Sequence, residues 1–326
     1  VQNRSQKDNI FAEQLTQNMS ARWGRLSELH NNQNKACFRL IHDLKDHFQI
    51  DIYGATLWMY WYNDFEVPAS VIESVESFCK LRGLNYVIRH MINRGQGVGG
   101  KEQSDLIRSK NQPDQWTAFE SNVQYQLRKT AGFSPGLFLD QSQNRKWVLE
   151  NSKSKNVLNL FSYTSGFSVN AALGGASSVT TVDASSNFLN WSKENFKLNN
   201  LDPEKFDFFA QDSLLFLAGA HKRNRQWDLI ICDPPSFGRT KTTVWKIEKD
   251  LPELIQKMWS CLAANGRILF TCNYEKWTLK DLENVFRKTL ANQKFKFEKL
   301  PEPSIDFKLE GAEQNLMKGF FIQKLK

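Results

Sequence analysis

The chain has 326 residues, 40% of them hydrophobic and 24% charged, a balance that excludes a disordered or fibrous chain and leaves room for two domains with separate cores. No apolar run reaches the roughly 18 residues of a membrane span, and no signal-peptide pattern opens the sequence. A formal net charge of +8 suits an anionic partner, nucleic acid first, while five widely spaced cysteines without a CxxC pair read as reduced cytoplasmic thiols and not as a zinc site or disulfide frame. The first residue is Val1 and not a methionine, which leaves open whether the sequence is a fragment. Ten tryptophans are many; beside basic residues such rings stack on bases, but most belong to a core.

In chain order, a polar helix pattern covers about 10–34, followed by "ACFRLIHD" (36–43) and the aromatic "ATLWMYWYND" (55–64). A helix over 68–83 starts at Pro68, and "NYVIRHMI" (85–92) reads as a strand. Residues 93–114, rich in Gly, Lys and polar side chains, read as a mobile loop. Its "GQGVGG" (95–100) lacks the apolar helix and the acidic residue of a dinucleotide site, so it reads as a flexible, RNA-facing loop. Strand-like "TAFESNVQYQLR" (117–128) and "GLFLD" (136–140) close this half. It is an α+β module with a small sheet, and its boundary falls near Phe133–Gly136, giving domains 1–135 and 136–326.

The second half alternates strand and helix. Strands are expected at 157–161, 178–183, 206–211, 227–232 and 267–272, and helices at 186–200 and 250–266, the latter stopped by Gly266. Such alternation implies a parallel sheet with helices on both faces. Residues 294–300 and 317–326 break the rhythm and are expected to pair antiparallel at one sheet edge. Asp183, Asp212 and Asp233 end successive strands at the carboxyl edge, where open α/β sheets bind ligands. The turn before the helix at 166 contains only Gly166, too little glycine to cradle a pyrophosphate, so an adenosine ligand without phosphates, such as S-adenosylmethionine, fits better. Asp183 would then meet ribose hydroxyls, and Asp212 either an adenine edge or its own helix as an N-cap. In "DLIICDPPSFGR" (228–239), Pro234 and Pro235 stop the strand and fix Asp233 at its tip.

Four motifs in order, "GLFLDQSQNR", "VLNLFSYTSGFSV", "VTTVDASSNFL" and "DLIICDPPSFGRTK", resemble the large-subunit (23S) ribosomal RNA methyltransferases, a family with cytosine-C5 and guanine-N7 members. The resemblance spans roughly 136–326, and the first half is similar to the α+β module that precedes the catalytic domain, without a PUA domain. It implies a Rossmann-like class I methyltransferase fold, a mostly parallel seven-stranded sheet with an antiparallel edge, and S-adenosylmethionine as cofactor. By resemblance, Phe138, Asp140 and Arg145 shape the approach to the cofactor pocket. Phe161, Ser162, Tyr163, Thr164 and Gly166 line its methionine part; Asp183 holds the ribose and Asp212 the adenine side. Asp233 and Pro234 mark the transfer point, with proline carbonyls facing the base and Phe237 near its plane. Ser165 stands where the family usually has glycine, which lowers the affinity expected for the cofactor.

The target atom stays open. A cytosine C5 needs an enzyme thiolate, for which Cys272 aligns with the catalytic cysteine of the C5 members, although a strand-end cysteine is usually core. Ser236 replaces a second cysteine of another C5 group, and Asn273 is similar to the asparagines of nitrogen methylators. Arg239, Lys241, Trp245 and Lys246 form a basic, aromatic loop beside Asp233, suited to phosphate and base contact, with a core tryptophan as the plainer reading. The expected partner is RNA, 23S rRNA by resemblance, with no metal and no membrane. The rival from another class is a catalytically silent RNA-binding homologue, which need not bind the cofactor. A nicotinamide dehydrogenase fails on the missing glycines, and a small-molecule methyltransferase leaves the basic charge unexplained.

Overall fold

Near the start of the chain Ala12, Leu15 and Met19 recur at spacings of three and four, and a helix, α1 (Gln2–Arg25), buries that stripe; buried Leu26 then joins it to the one-turn α2 (Ser27–His30). The computed structural model describes residues 2–30, 36–43, 47–92, 103–110, 112–129, 134–239, 244–308 and 317–326. By internal contacts they form two units, Val1–Leu139 with Pro303–Ala312, and Asp140–Glu302 with Glu313–Lys326.

The first unit is built on a five-stranded sheet of β1 (Cys37–Asp43), β2 (Phe48–Tyr53), β3 (Thr56–Trp61), β4 (Asn85–Ile92) and β5 (Gln103–Lys110), adjacent in that order. All pairs are antiparallel except β3–β4, whose crossover is α3 (Ala69–Arg82). This helix starts after Pro68 and stops at Gly83, whose φ of 64° lets its N–H reach the Cys79 carbonyl. Val71, Val75 and Phe78 of α3 join the α1 stripe over one sheet face. Every residue of β2 and β3 is buried, Phe48, Tyr53, Trp58, Tyr60 and Trp61 among them. Arg39 makes a forked pair with Asp51, at 2.7 and 3.2 Å. The turn Ile305–Phe307 completes this unit: Asp306 accepts the Arg39 backbone N–H at 2.8 Å and, through its carbonyl, Arg22 at 2.9 Å. A hairpin of β6 (Gln115–Glu120) and β7 (Val123–Arg128) stacks Trp116 on Trp58.

Three expectations for this half need correction. The segment 93–114 is not all loop, because residues 103–110 pair with β4; the glycine run at 95–100 lies outside the described residues. "GLFLD" forms no strand; its end enters a single 3-10 turn, Leu139–Gln141. The helix expected over 10–34 begins earlier and breaks after Arg25, and residues 31–35 lie outside the described set.

In the second unit, α4 (Ser142–Asn151) leads into β8 (Asn156–Leu160), α5 (Gly166–Leu173), β9 (Ser178–Asp183), α6 (Ser186–Leu198), β10 (Asp207–Ala210), α7 (Ser213–Lys222) and β11 (Trp227–Cys232). A short ribbon, β12 (Phe237–Arg239) with β13 (Val244–Lys246), then α8 (Ile247–Cys261), β14 (Leu262–Cys272), α9 (Leu279–Thr289), β15 (Phe295–Glu298) and β16 (Lys318–Lys324) complete it. The sheet order is β10-β9-β8-β11-β14-β16-β15, with the first five strands parallel and β16 antiparallel to both neighbours. This is the doubly wound, seven-stranded architecture expected, with its antiparallel edge. Strand alternation sorts the core: Ile230 and Cys232 face the α7–α8–α9 side, and Leu229 and Ile231 face α4 and α5. Both faces are covered, so β11 is apolar at nearly every position. The helix expected over 250–266 ends at Cys261, because Leu262 already pairs with Trp227 at the start of β14, which shifts register against β11 between Trp227 and Leu229 and turns through Asn265 at a φ of 62°.

Candidate methyl-transfer site

Strand ends of the large sheet decide the site. β9 ends on Asp183, whose Oδ2 accepts the Tyr163 backbone N–H and whose Oδ1 accepts that of Ser185, both at 2.8 Å. The carboxylate therefore ties the turn after β8 to the start of α6. Burial raises its pKa, and these two bonds oppose that rise.

The turn itself is strained. Phe161, Tyr163 and Ser165 have φ of 51°, 50° and 65°, three non-glycine residues in the left-handed region within five positions. Its backbone is largely consumed locally: Ser162 N–H donates to the Val182 carbonyl and Ser165 N–H to the Ser162 carbonyl. The Ser162 hydroxyl is buried with no partner among the described residues. A buried hydroxyl left unsatisfied costs about 1–3 kcal/mol, so one at this sheet edge is a group that a bound polar ligand can satisfy. Thr164 is buried, and Tyr163 packs edge-on to Phe188 at 4.6 Å. Gly166 opens α5, whose first-turn N–H groups have no partner within the helix.

Asp212 caps α7: its Oδ1 accepts the N–H groups of Leu214 and Leu215 at 2.9 and 3.1 Å. The capping role is thus occupied, whatever else this carboxylate touches.

Asp233 follows β11 directly. Its Oδ1 accepts the Thr271 hydroxyl at 2.8 Å and its Oδ2 the Gln141 amide at 2.9 Å. Gln141 also donates to Thr271 Oγ1 at 3.0 Å and accepts from Asn144 at 2.7 Å. Part of Asp233 is open to solvent, but protein packs densely around the carboxylate, and burial pushes its pKa up to about 7; Thr271 and Gln141 pull it down, while nearby Asp140 pushes it further up. Arg145 is buried on α4, with its guanidinium 6.0 Å from the Phe167 ring centre, and it too lowers the Asp233 pKa. Phe138 belongs to the first unit and is 40% exposed.

Pro234 is buried and Pro235 exposed. The Pro235 carbonyl, expected to face a base, instead accepts the Trp245 indole N–H at 2.6 Å. Trp245 is buried and packs on Phe161 at 5.4 Å, so it braces the turn after Asp233 and shows no face to solvent. Antiparallel pairing of Phe237 with Lys246 and of Arg239 with Val244 puts those four side chains on one face of the ribbon. All four are exposed, Phe237 by 53% and Val244 by 47%, while Gly238 and Trp245 take the other face. Lys241 lies outside the described residues.

Cys272 is 1% exposed, and burial raises its thiol pKa. Asn273, the next residue, is exposed. Among the described residues no group of His, Cys, Asp and Glu is placed to hold a metal ion, and no described helix is long and apolar enough to cross a membrane. The reading of the sequence missed Gln141, Asn144 and Thr271. The available signal was polarity in the wrong place: a threonine inside the apolar run "ILFTC" and three amides within "DQSQN".

A doubly wound sheet with an antiparallel strand inserted between β14 and β15, and an acidic residue ending β9 beside a tight β8–α5 turn, defines a class I methyltransferase. The profile of the S-adenosylmethionine-dependent methyltransferase family matches residues 101–300, and the chain belongs to that family. The ribosomal RNA large subunit methyltransferase K/L of Pseudoalteromonas atlantica is 34% identical over 318 residues, covering 93% of this chain and 43% of its own length. YwbD of Bacillus subtilis, named as a provisional ribosomal RNA large subunit methyltransferase, is 31% identical over 330 residues, covering 97% of this chain and 80% of its own. A crystal structure of SMU.776, a provisional methyltransferase complexed with SAH, superposes with a TM-score of 0.84 at 26% identity, over 96% of this chain and 81% of that one. The chain spans less than half the length of the K/L relative.

Proposed function

We propose that this chain methylates a base of large-subunit ribosomal RNA, 23S rRNA, using S-adenosylmethionine. The observation that carries this reading is the pairing of two features on the Asp233 segment. The carboxylate is held by Gln141 and Thr271, and a ribbon with exposed Phe237, Arg239 and Lys246 follows within a few residues. The residues present fit the cofactor. Asp183 sits where ribose hydroxyls bind in such sheets, the Ser162 hydroxyl, without a partner among the described residues, and the amino end of α5 suit an amino-acid carboxylate, and the β8–α5 turn holds too little glycine to cradle a phosphate. Asp212 would border the adenine, and Asp140 and Arg145 the approach to Asp233.

When bound, S-adenosylmethionine supplies an electrophilic methyl group on a sulfonium. The chain's own task is then to orient the base in line with it. Phe237 offers a ring for stacking a flipped base, Arg239 and Lys246 offer phosphate contacts, and Asp233 accepts a hydrogen bond from the base edge. A ring nitrogen is the target this site favours. Attack on cytosine C5 needs a thiolate, and Cys272 is buried with its pKa raised. The first unit, with the +8 net charge of the whole chain behind it, is proposed to contribute RNA affinity. The test is calorimetric titration with S-adenosylmethionine, followed by tritium transfer to unmodified ribosomal RNA. Saturable binding with transfer supports the reading. Binding without transfer to any RNA points to the silent homologue, and no binding by the folded protein removes the enzyme reading altogether.

A further inference from the structure

Left-handed residues other than glycine persist only where their surroundings hold them, and around the turn at 161–166 the holding groups come from α6. Ser192 and Asn195, three apart on one helix face, are both fully buried. Asn195 donates to the Thr164 carbonyl at 2.9 Å. Ser192 Oγ lies 2.6 Å from Ser165 Oγ, 3.2 Å from the Tyr163 carbonyl and 2.8 Å from the Phe188 carbonyl in its own helix. A hydroxyl carries one proton, so the consistent arrangement has Ser165 donating to Ser192 and Ser192 donating to a carbonyl. With Asp183 on the Tyr163 N–H, the turn is gripped at Tyr163, Thr164 and Ser165 in succession.

We infer that Ser192 and Asn195 are positioning residues for the cofactor turn, and that the Ser165–Ser192 hydroxyl pair replaces the conformational freedom a glycine would give at 165. The inference rests on the cofactor reading above. Neither residue needs to touch the ligand. Each raises the fraction of molecules whose turn has the receiving shape, and apparent affinity scales with that fraction. Ser192→Ala removes the acceptor for a buried hydroxyl while leaving Ser165 in its strained conformation, which lowers the competent fraction to about one tenth and weakens binding about tenfold. Ser165→Gly needs no such partner, because glycine adopts positive φ freely, so in its background the loss of Ser192 weakens binding less than it does in the native chain.

The experiment is titration of S-adenosylhomocysteine into the native chain, Ser192→Ala, Asn195→Ala, Ser165→Gly and Ser165→Gly/Ser192→Ala, with urea unfolding of each. The inference expects Ser192→Ala and Asn195→Ala to bind more weakly, and the double variant to recover part of the affinity lost by Ser192→Ala. A purely structural role lowers the unfolding midpoint but leaves affinity where it was, and that result overturns the inference, as does a double variant no better than Ser192→Ala. If Ser192→Ala does not fold, Ser165→Ala and Ser165→Gly replace it: alanine keeps the strain without the bond and must bind several-fold more weakly than glycine, and equal affinities overturn the inference. A native chain that binds nothing overturns the cofactor reading first, so the two failures are distinct.

Discussion

Asp183 and Asp233 end strands of the same sheet, and burial raises the pKa of both, yet they are held by different kinds of donor. Asp183 takes backbone N–H groups from Tyr163 and Ser185, and the turn is pulled into place around it. Asp233 takes side chains, Thr271 and Gln141. Backbone donors survive almost any substitution, so at the Asp183 end the donors themselves cannot be removed singly, and the vulnerable parts are the carboxylate and the α6 side chains that grip the turn. Side-chain donors can be removed singly, so the Asp233 end is an adjustable one. A fixed shape suits recognition of one constant ligand, and an adjustable carboxylate suits tuning toward a particular base.

The comparison breaks most sharply at Asp183. Asp183→Ala orphans the Tyr163 N–H and removes the proposed ribose contact, so cofactor affinity should fall at least about 100-fold and stability by about 2 kcal/mol, measured by calorimetry and by urea unfolding. Asp233→Asn keeps the shape and tests the charge. With the folded pKa near 7 and an unfolded value of about 3.9, the native state holds its proton longer as pH rises. The contribution of Asp233 is therefore complete below about pH 4, is lost as pH climbs to about 7, and stays level above that. Asn should flatten that slope in unfolding experiments. Thr271→Val and Gln141→Leu each remove a bond that favours the charged form, so either should move the inflection of the pH–rate profile upward by about one unit. On the ribbon, Phe237→Ala should weaken RNA binding by about 1–3 kcal/mol with cofactor affinity intact, which filter binding resolves. Smallest is Cys272→Ala, which for a nitrogen target keeps transfer within about twofold and costs about 1 kcal/mol of stability. Loss of transfer, together with a trapped covalent RNA adduct in the native chain, would restore the cytosine reading.

The architecture was legible because β8, β9, β11 and the edge strands carry periodicity strong enough to survive any context, and because Pro234 and Pro235 mark where β11 must stop. Helix α8 was misjudged at its end because Leu262 and Ala263 suit helix and strand alike, and only pairing with β11 decides between them. Strand β5 hid inside a polar stretch because an edge strand needs few apolar residues. Of the site, single carboxylates at strand ends could be read from position. The polar groups that grip them could not, since Gln141 and Thr271 lie 130 positions apart and meet only in the fold. Ser165 was rightly singled out as sterically odd, and what the sequence concealed was its partner one helix away.

The turn at Ile305–Phe307 has a consequence for how the molecule is made. Asp306 supplies acceptors for Arg39 and Arg22 of the first unit, and during translation it emerges long after Leu139. At about 5–20 residues per second, the first unit waits roughly 10–30 s for its last piece. Through that interval a nascent α+β module stands at the ribosome exit without the Asp306 acceptors for Arg39 and Arg22, and its folding is finished by a segment that interrupts the second unit just ahead of β16.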